Sequence, residues 1–554
     1  MIAGEVIVRI LETEGITDAF GIPGAGINGL YKFLGKSEKI RHYTARHEEA
    51  AVHAASGYYR SSGRMAAALC TSGPGATNFV TGVYTAHIDS IPLIAITGQA
   101  VTSQLGKDAF QCVDIAAIAA PVVKKAWCVT DKNKLVDTFR NAFKIAREGK
   151  PGPVLIDLPL DIQNAEIDFE PSEYKPLPIQ KASPDAGDIK KAVSMLREAK
   201  NPVIIMGGGV VEAGACEDCV KFAELLQIPV ITTYMAKGGI PVEHPLNAGH
   251  AGIQVGQPIG NKVLLAADVV LGIGCRFTDR HTGNINIYRG DRKFIHINIE
   301  PSEIGKIFPA DLGIVADAKL ALKQLTAAVK SVKKPAPGPL VSQLPQLREE
   351  LKRKTDQDCI PIHPHRVFGD INKAFDSDTL FTTGCGITQI WSGQLQEIDK
   401  PRHYLPSGGS GTLGYDIPAA FGAMTANPGK RAVAVMGDFG FTFHAQELAV
   451  CAKYERPVIV IIVNNAYLGL IRQNQKYAYG YEYAVEMQEN HSFIDYVEVA
   501  RGFGCDGERV FSPEHILPAI KRAQKSQKPY VIDIVVQEQA DCSMGNAIDS
   551  VKEF

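Results

Sequence analysis

The chain contains 554 residues, of which 45% are hydrophobic and 21% are charged, and its formal net charge is −2. This length predicts about three domains, and the balanced charge argues against nucleic acid or an anionic membrane as a partner. Eleven cysteines are an odd number that one chain cannot fully pair, which favours a reducing, cytoplasmic location. The longest strongly apolar run, residues 458–463, is far shorter than the roughly 20 residues that a membrane crossing needs.

The first block, residues 1–168, opens with a predicted helix that ends at Gly15. Further along, short apolar runs are followed by glycine or proline, and a helical pattern lies among them at residues 48–59. These apolar runs are residues 19–23, 66–70 and 92–98. Alternation of this kind predicts a parallel sheet with helices on both faces.

Two polar, proline-containing stretches, residues 170–184 and 330–345, are predicted linkers between three blocks. The second block, residues 185–330, has apolar runs at residues 202–206, 228–232, 269–273 and 295–299. The third block, residues 360–554, has apolar runs at residues 379–383, 433–436, 458–463 and 531–536. We therefore predict an α/β fold with three parallel-sheet domains, of which the first and third share one architecture.

Two polar positions in the third block follow predicted strands. Asp438 comes just after the run at 433–436, and Asn465, 27 residues later, just after the run at 458–463. A helix-length segment joins these strands, so both strand ends are expected at the same sheet edge, where ligands bind in open α/β sheets. A carboxylate and an amide oxygen suit Mg²⁺, and the carbonyl of Tyr467 could add a third ligand. Either position alone would be read as a helix cap or a turn.

The segment Gly437-Asp438-Phe439, followed by Asn464-Asn465, resembles the thiamine-diphosphate motif, usually written GDG and then NN. Phe439 replaces the third glycine, as also happens in glyoxylate carboligases. The whole chain resembles the acetolactate synthase and pyruvate oxidase group of these enzymes. The resemblance implies a pyrimidine-binding domain (residues 1–168), a central flavin-type domain (185–330) and a diphosphate-binding domain (360–554).

Arg46-His47-Glu48 resembles the RHE motif of these enzymes, whose glutamate contacts N1′ of the aminopyrimidine ring. A proton shared with N1′ promotes the imino form of the cofactor, which can then take up the C2 proton. The resemblance therefore implies that Glu48 is catalytic. Without the third block, Glu48 would be read as a solvated residue at a helix N-terminus.

Residues 409–415 resemble the glycine-rich segment that bends the cofactor. The carbonyl of Gly411 is expected to accept a hydrogen bond from N4′ of the aminopyrimidine. Leu413 is expected to wedge between the two rings of the cofactor. Residues 384–389 resemble a diphosphate-binding turn ahead of a helix, where backbone N–H groups favour an anion. The thiamine diphosphate contacts that the resemblance implies are Pro23, Gly24, Gly386, Thr388, Gln389, Gly437 and Phe439.

Residues 276–283 resemble the flavin-contacting RF-x-x-R-x-TG segment of acetolactate synthase and glyoxylate carboligase. The resemblance implies bound FAD without net redox work, because the flavin does none in those two families. Asn298 departs from the pattern, since these flavoproteins often have an acidic residue there. The expected FAD contacts are Gly207, Gly208, Thr232, Tyr234, Met235, Arg276, Arg280, Asn298 and Asp317.

Several stretches resemble glyoxylate carboligase more than acetolactate synthase: residues 280–283, 464–473 and 543–545, and Leu413. The implied reaction is the decarboxylating condensation of two glyoxylates to tartronate semialdehyde and CO₂. Phe110, Gln111 and Lys124 match positions that line the substrate channel of the relatives. Arg280 is a candidate for binding the carboxylate of the acceptor substrate, as well as for contacting the flavin.

Glu48 leaves the identity of the substrate undecided, because glyoxylate carboligases have valine where other thiamine enzymes have the glutamate that contacts N1′. Acetolactate synthase acting on pyruvate is the main alternative, followed by a 2-oxo acid decarboxylase or oxidase. A degenerate flavin-binding module is the non-enzymatic alternative, against which intact Glu48, Asp438 and Asn465 argue. A nicotinamide dehydrogenase is a further alternative, suggested only by the parallel sheets and the glycine-rich turns. In relatives the glutamate and the aspartate meet across a subunit interface, which implies a homodimer or homotetramer.

Overall fold

The computed structural model describes residues 1–330, 335–488, 491 and 493–554. The first sheet contains six parallel strands: β1 Asp18–Gly21, β2 Arg41–Thr44, β3 Ala67–Cys70, β4 Ile94–Gln99, β5 Lys125–Cys128 and β6 Val154–Pro159. Its helices are α1 Ala3–Thr13, α2 Asn28–Leu34, α3 Glu48–Ser62, α4 Pro74–Ile88, α5 Ile115–Ala119, α6 Leu135–Arg147 and α7 Leu160–Gln163. The strand order across the sheet is β2-β1-β3-β4-β6-β5.

The second sheet is also parallel and contains β7 Pro202–Met206, β8 Val230–Thr232, β9 Asn247–His250, β10 Val269–Ile273, β11 Lys293–Asn298 and β12 Leu312–Val315. Its strand order is β12-β11-β10-β7-β8-β9. The helices of this part are α8 Ala186–Glu198, α9 Gly208–Glu212, α10 Cys216–Leu226, α11 Pro258–Leu265, α12 Asp279–Thr282, α13 Ile285–Arg289, α14 Ala318–Val329 and α15 Pro339–Glu350.

The third parallel sheet contains β13 Leu380–Thr383, β14 Tyr404–Pro406, β15 Ala432–Gly437, β16 Ile459–Asn464, β17 Asp506–Val510 and β18 Tyr530–Val535. Its helices are α16 Pro364–Ala374, α17 Ile387–Leu395, α18 Asp416–Ala426, α19 Asp438–His444, α20 Leu448–Lys453, α21 Gly469–Asn474, α22 Tyr496–Gly502 and α23 Ile516–Lys525. The order β14-β13-β15-β16-β18-β17 repeats that of the first sheet. The predicted α/β class and the shared architecture of the first and third domains are therefore confirmed.

Helices α3 and α18 join the first and third sheets through backbone contact. A side chain at Gly57 of α3 would overlap the backbone of Ala419, and one at Gly422 of α18 would overlap the backbone of Ala54. Only glycine permits so close an approach, because every other residue carries a Cβ atom. This contact fixes the start of α3 relative to the third domain.

The prediction that residues 330–345 form an irregular linker is wrong from residue 339 onward. Helix α15 begins at Pro339, inside the stretch expected to be irregular, and buries Leu340, Leu344 and Leu347. Proline is well suited to the first turn of a helix, where its missing N–H has no partner to lose. The segment between β15 and β16 forms two helices, α19 and α20, and the first of them begins at Asp438 itself. None of the helices in the described ranges combines the length and apolar character that a membrane crossing requires.

Candidate active site

Asp438 lies at the carboxyl end of β15, beside the end of β16. The two strands are adjacent, and Gly437 pairs with Val463, so the residues that follow them share one edge of the sheet. Asp438 is 1% exposed, and its Oδ2 atom has no hydrogen-bond partner among the described residues. Burial raises the pKa of Asp438 to about 7. A buried carboxylate oxygen without a partner fits a site for a divalent cation.

Asn465 and Tyr467 could supply the other protein ligands. The Asn465 side chain is buried, and its Nδ2 donates to the Glu538 carbonyl at 3.4 Å, which directs Oδ1 away from that carbonyl. The carbonyl of Tyr467 accepts from the N–H of Gly469 at 2.7 Å and keeps a second lone pair. The residues present thus fit an oxygen-ligated Mg²⁺, although this metal set stays a prediction.

The predicted diphosphate turn lies between β13 and α17, next to β15. Gly386 has φ +93°, a backbone conformation that favours glycine. A Cβ atom on Gly437 would lie 3.4 Å from Oγ1 of buried Thr388, so the missing side chain keeps this edge open. The Gln389 side chain already has protein partners, because its Nε2 donates to the carbonyls of Gly384 and, at 3.1 Å, Ser407. Its contact with the cofactor stays a prediction.

The predicted cofactor-bending segment faces this turn. Gly411 has φ +60°, and a Cβ atom there would lie 3.4 Å from Sγ of Cys385. The Cδ2 atom of Leu413 lies 3.7 Å from the Cβ position of Gly440 in α19. The ring of Phe439 packs against Phe443, with the ring centroids 5.3 Å apart. Gly411 and Leu413 thus lie beside elements that carry the diphosphate turn and Asp438.

Glu48 begins α3 and lies in the first domain. Its Oε2 accepts from Nδ2 of Asn78 in α4 at 2.9 Å, and its Oε1 lies 3.2 Å from the Cβ position of Gly75. Gly75 and Gly24 both pack on Thr71, which follows β3. Pro23 precedes Gly24 in the loop after β1. The predicted pyrimidine-side residues are thus gathered at the carboxyl edge of the first sheet.

Glu447, which no motif predicted, ties the loop before α3 to the third domain. Its carboxylate accepts from the backbone N–H groups of Arg46 at 2.8 Å and of His47 at 3.0 Å. It is buried, and burial raises its pKa to about 7. A single glutamate in an apolar helical stretch carries no sequence signal for this contact.

The three predicted channel residues have different surroundings. Phe110 is 86% exposed, and Gln111 packs against Gly73 with its Cβ 2.7 Å from the Cβ position of that glycine. Lys124 donates from Nζ to the Glu148 carbonyl at 2.6 Å, and burial lowers its pKa. The ammonium group of Lys124 therefore already has an acceptor, and the channel role of all three residues stays a prediction.

A cavity of about 700 Å³ lies between the central domain and the other two. The predicted FAD contacts on its wall are Gly208, Tyr234, Met235, Arg276, Arg280, Asn298 and Asp317. Gly207 and Thr232 are not on the wall. Gly207 packs so closely on the second sheet that a side chain there would overlap the backbone of Gly274. The Thr232 hydroxyl forms a hydrogen bond with Nδ1 of His250.

The first domain also contributes to the cavity wall, through Asp89 and Arg60 among others. Asp89 pairs with Arg60 at 3.0 Å and accepts from the N–H groups of Gly408 and Gly409 at 3.2 and 2.8 Å. Asp89 follows α4 and belongs to no motif, so no sequence pattern indicated its role. It fixes the start of the predicted cofactor-bending segment on the cavity wall.

Family models match each of the three sheet-containing parts of the chain. Residues 1–118 match the thiamine pyrophosphate enzyme N-terminal TPP binding domain, residues 189–325 the central domain, and residues 384–534 the C-terminal TPP binding domain. A glyoxylate carboligase of Escherichia coli O157:H7 is 44% identical, over 100% of this chain and 96% of the relative. A probable acetolactate synthase large subunit of Methanocaldococcus jannaschii is 39% identical, over 97% of this chain and 92% of the relative. The chain therefore belongs to the thiamine pyrophosphate enzyme family and is a thiamine-diphosphate-dependent decarboxylating carboligase.

Proposed function

We propose that the enzyme condenses two glyoxylates to tartronate semialdehyde and CO₂. The observation that carries this choice is the 44% identity to a glyoxylate carboligase over the full chain, against 39% for the acetolactate synthase relative. In this reaction one C–C bond breaks as CO₂ leaves, a new C–C bond forms to the second aldehyde, and one proton is consumed. No net oxidation or reduction takes place.

Thiamine diphosphate, when bound, supplies the thiazolium ring that accepts the electrons left by the departing carboxyl group. We propose that Asp438, Asn465 and the Tyr467 carbonyl hold its Mg²⁺, and that Gly386 and Thr388 lie against its diphosphate. Glu48 would hold a proton at N1′ of the aminopyrimidine. Support comes from the Asp438 oxygen, which has no hydrogen-bond partner in the described part of the chain, and from the open edge at Gly437.

We also propose that FAD occupies the 700 Å³ cavity without a redox role. Seven predicted contacts lie on the cavity wall, and the balanced condensation needs no electron acceptor. A Gly208→Leu variant tests the assignment, because the Cβ position of Gly208 is already 2.9 Å from Cβ of Met235. Wild-type protein should release a yellow flavin on heating, and the variant should carry less of it. A colourless wild-type protein that takes up no added FAD would refute this part.

We propose that the domain bounds are close to residues 1–168, 185–330 and 360–554. We also propose that the active unit is a homodimer or homotetramer. The described contacts of the Glu48 carboxylate, with Asn78 and Gly75, stay within the first domain. Large apolar side chains are exposed on the single chain, among them Phe110, Tyr483 and Phe493 at 86%, 78% and 81%. Light scattering coupled to size-exclusion chromatography measures the assembly, and a monomer with full activity would refute the proposal.

The substrate is tested by a product assay with glyoxylate, pyruvate and a mixture of both. We expect tartronate semialdehyde from glyoxylate, with one CO₂ released for two glyoxylates consumed. Acetolactate from pyruvate, with glyoxylate inert, would instead make the chain an acetolactate synthase, the second candidate because of the 39% identical relatives. Asp438→Asn protein is the control for activity that does not depend on the cofactor site.

A further inference from the structure

His47, Glu49 and His444 form a cluster of possible metal ligands outside the Asp438–Asn465 site. His47 precedes α3, Glu49 is its second residue, and His444 is the last residue of α19. One ligand atom from each lies within 4.8 Å of the other two. We propose that this cluster binds a transition-metal ion, Zn²⁺ or one of similar preference, and so links the first and third domains.

The orientation of the His444 ring supports a role as ligand. Its Nδ1 lies 3.0 Å from the Gly414 carbonyl, which can only accept, so Nδ1 carries the proton. In the neutral ring the lone pair is then on Nε2, which lies 4.0 Å from Oε2 of Glu49. A histidine that donates its other N–H to a backbone carbonyl is the usual arrangement for a metal ligand.

Glu49 is held in a similar way by a second residue. Its Oε1 lies 3.1 Å from Nε2 of buried His53, which can donate to it. Oε2 therefore remains for a metal, while the His53 contact fixes the direction of the carboxylate. Outer contacts of this kind orient the groups that bind the ion.

His47 must change its hydrogen bonding to serve as the third ligand. Its Nδ1 accepts from the N–H of Glu49 at 3.2 Å, a long bond that caps α3. Coordination through Nδ1 replaces this bond, and ordinary Zn–N and Zn–O distances of about 2.0–2.2 Å require the three side chains to move closer together.

The donor types favour Zn²⁺ over Mg²⁺ at this cluster. Two imidazoles and one carboxylate are a common ligand set for zinc, whereas Mg²⁺ prefers oxygen ligands only. Three protein ligands leave a fourth position for water. Glu447 accepts from the backbone N–H of His47 at 3.0 Å and so holds the residue that carries one of the three ligands.

The test uses the full-length protein with thiamine diphosphate and excess Mg²⁺, so that the Asp438 site is saturated. Co²⁺ is added as a spectroscopic probe, and Zn²⁺ is then titrated by calorimetry. We expect one Co²⁺ per chain with the visible absorption of a tetrahedral site, displaced by Zn²⁺. Binding does not require turnover, so its failure is distinguishable from failure of the proposed reaction.

Two variants locate the ion. His444→Leu and Glu49→Gln should each weaken Zn²⁺ binding by more than about 100-fold, and Glu49→Gln keeps the size of the side chain. His244→Asn is the control, because His244 pairs with Glu224 near the surface, away from the cluster. Zn²⁺ affinity equal to wild type in both cluster variants, or no Co²⁺ bound beyond the Mg²⁺ site, would overturn the proposal and leave a hydrogen-bonded domain contact.

Discussion

Arg280 donates from Nη2 to Oε1 of Gln389 at 3.0 Å, joining the cavity wall to the predicted diphosphate turn. The same guanidinium donates from Nε to Gln254 at 2.8 Å and from Nη1 to the Gly408 carbonyl at 3.2 Å. All three of its nitrogen atoms thus have protein acceptors. This arrangement favours a positioning role for Arg280 over capture of a substrate carboxylate.

Arg280→Lys is therefore expected to weaken FAD binding by about tenfold and to change the KM for glyoxylate little. Lysine keeps the charge but cannot make the forked contacts of a guanidinium. Flavin content and steady-state kinetics are the measurements, and Arg289→Lys, on an exposed pair with Asp311, is the control. A large rise in KM with normal flavin content would show that Arg280 binds the substrate.

Asp438→Asn should weaken binding of thiamine diphosphate with Mg²⁺ by at least about 100-fold, because it removes the charged ligand of a hard cation. Fluorescence titration of the cofactor at fixed Mg²⁺ measures the change. Asp378→Asn, at an exposed position paired with Lys400, is the matched control. Unchanged affinity in the Asp438 variant would place the metal elsewhere.

Glu48→Gln should lower kcat by about 10²–10⁴-fold and leave cofactor affinity nearly unchanged, because the amide cannot transfer the proton that the carboxyl group holds. Steady-state rates and the cofactor titration together separate the two effects. Glu38→Gln, an exposed glutamate of the same domain, controls for the change of charge. If turnover survives in the Glu48 variant, another group handles the proton.

Lys237 should make stability rise with pH. Its Nζ is buried and donates to the Gly393 and Ser392 carbonyls at 2.6 and 3.3 Å, and burial lowers the pKa of Lys237 to about 7. Above pH 7 the unfolded chain therefore holds one proton more than the folded chain. The free energy of unfolding should gain up to about 1.4 kcal/mol per pH unit between pH 7 and 9.

The Lys237→Met variant has no proton to lose at this position and should lack that component. Urea unfolding at several pH values compares the variant with wild type and with Lys262→Met, an exposed lysine of the same domain. Parallel pH profiles for wild type and Lys237→Met would show that the buried amine does not titrate in this range.

Local patterns in the sequence determined the α/β class and the Asp438–Asn465 pair. Short apolar runs followed by glycine predict strands, and a polar residue just after a strand must lie at the carboxyl edge of a parallel sheet. Gly411 and Glu48 were found through motifs that are contiguous in sequence. Their placement required no knowledge of distant contacts.

Only the tertiary structure decided which groups meet across domains. Glu447 caps the loop before Glu48, and Asp89 holds Gly408 and Gly409, through contacts between residues about 320 to 400 positions apart. Sequence periodicity reports neighbours on one element, whereas these contacts depend on how helices of different domains pack. The hydrogen bonds of the Gln389 and Arg280 side chains likewise became known only from the tertiary structure, because their acceptors lie on other segments of the chain.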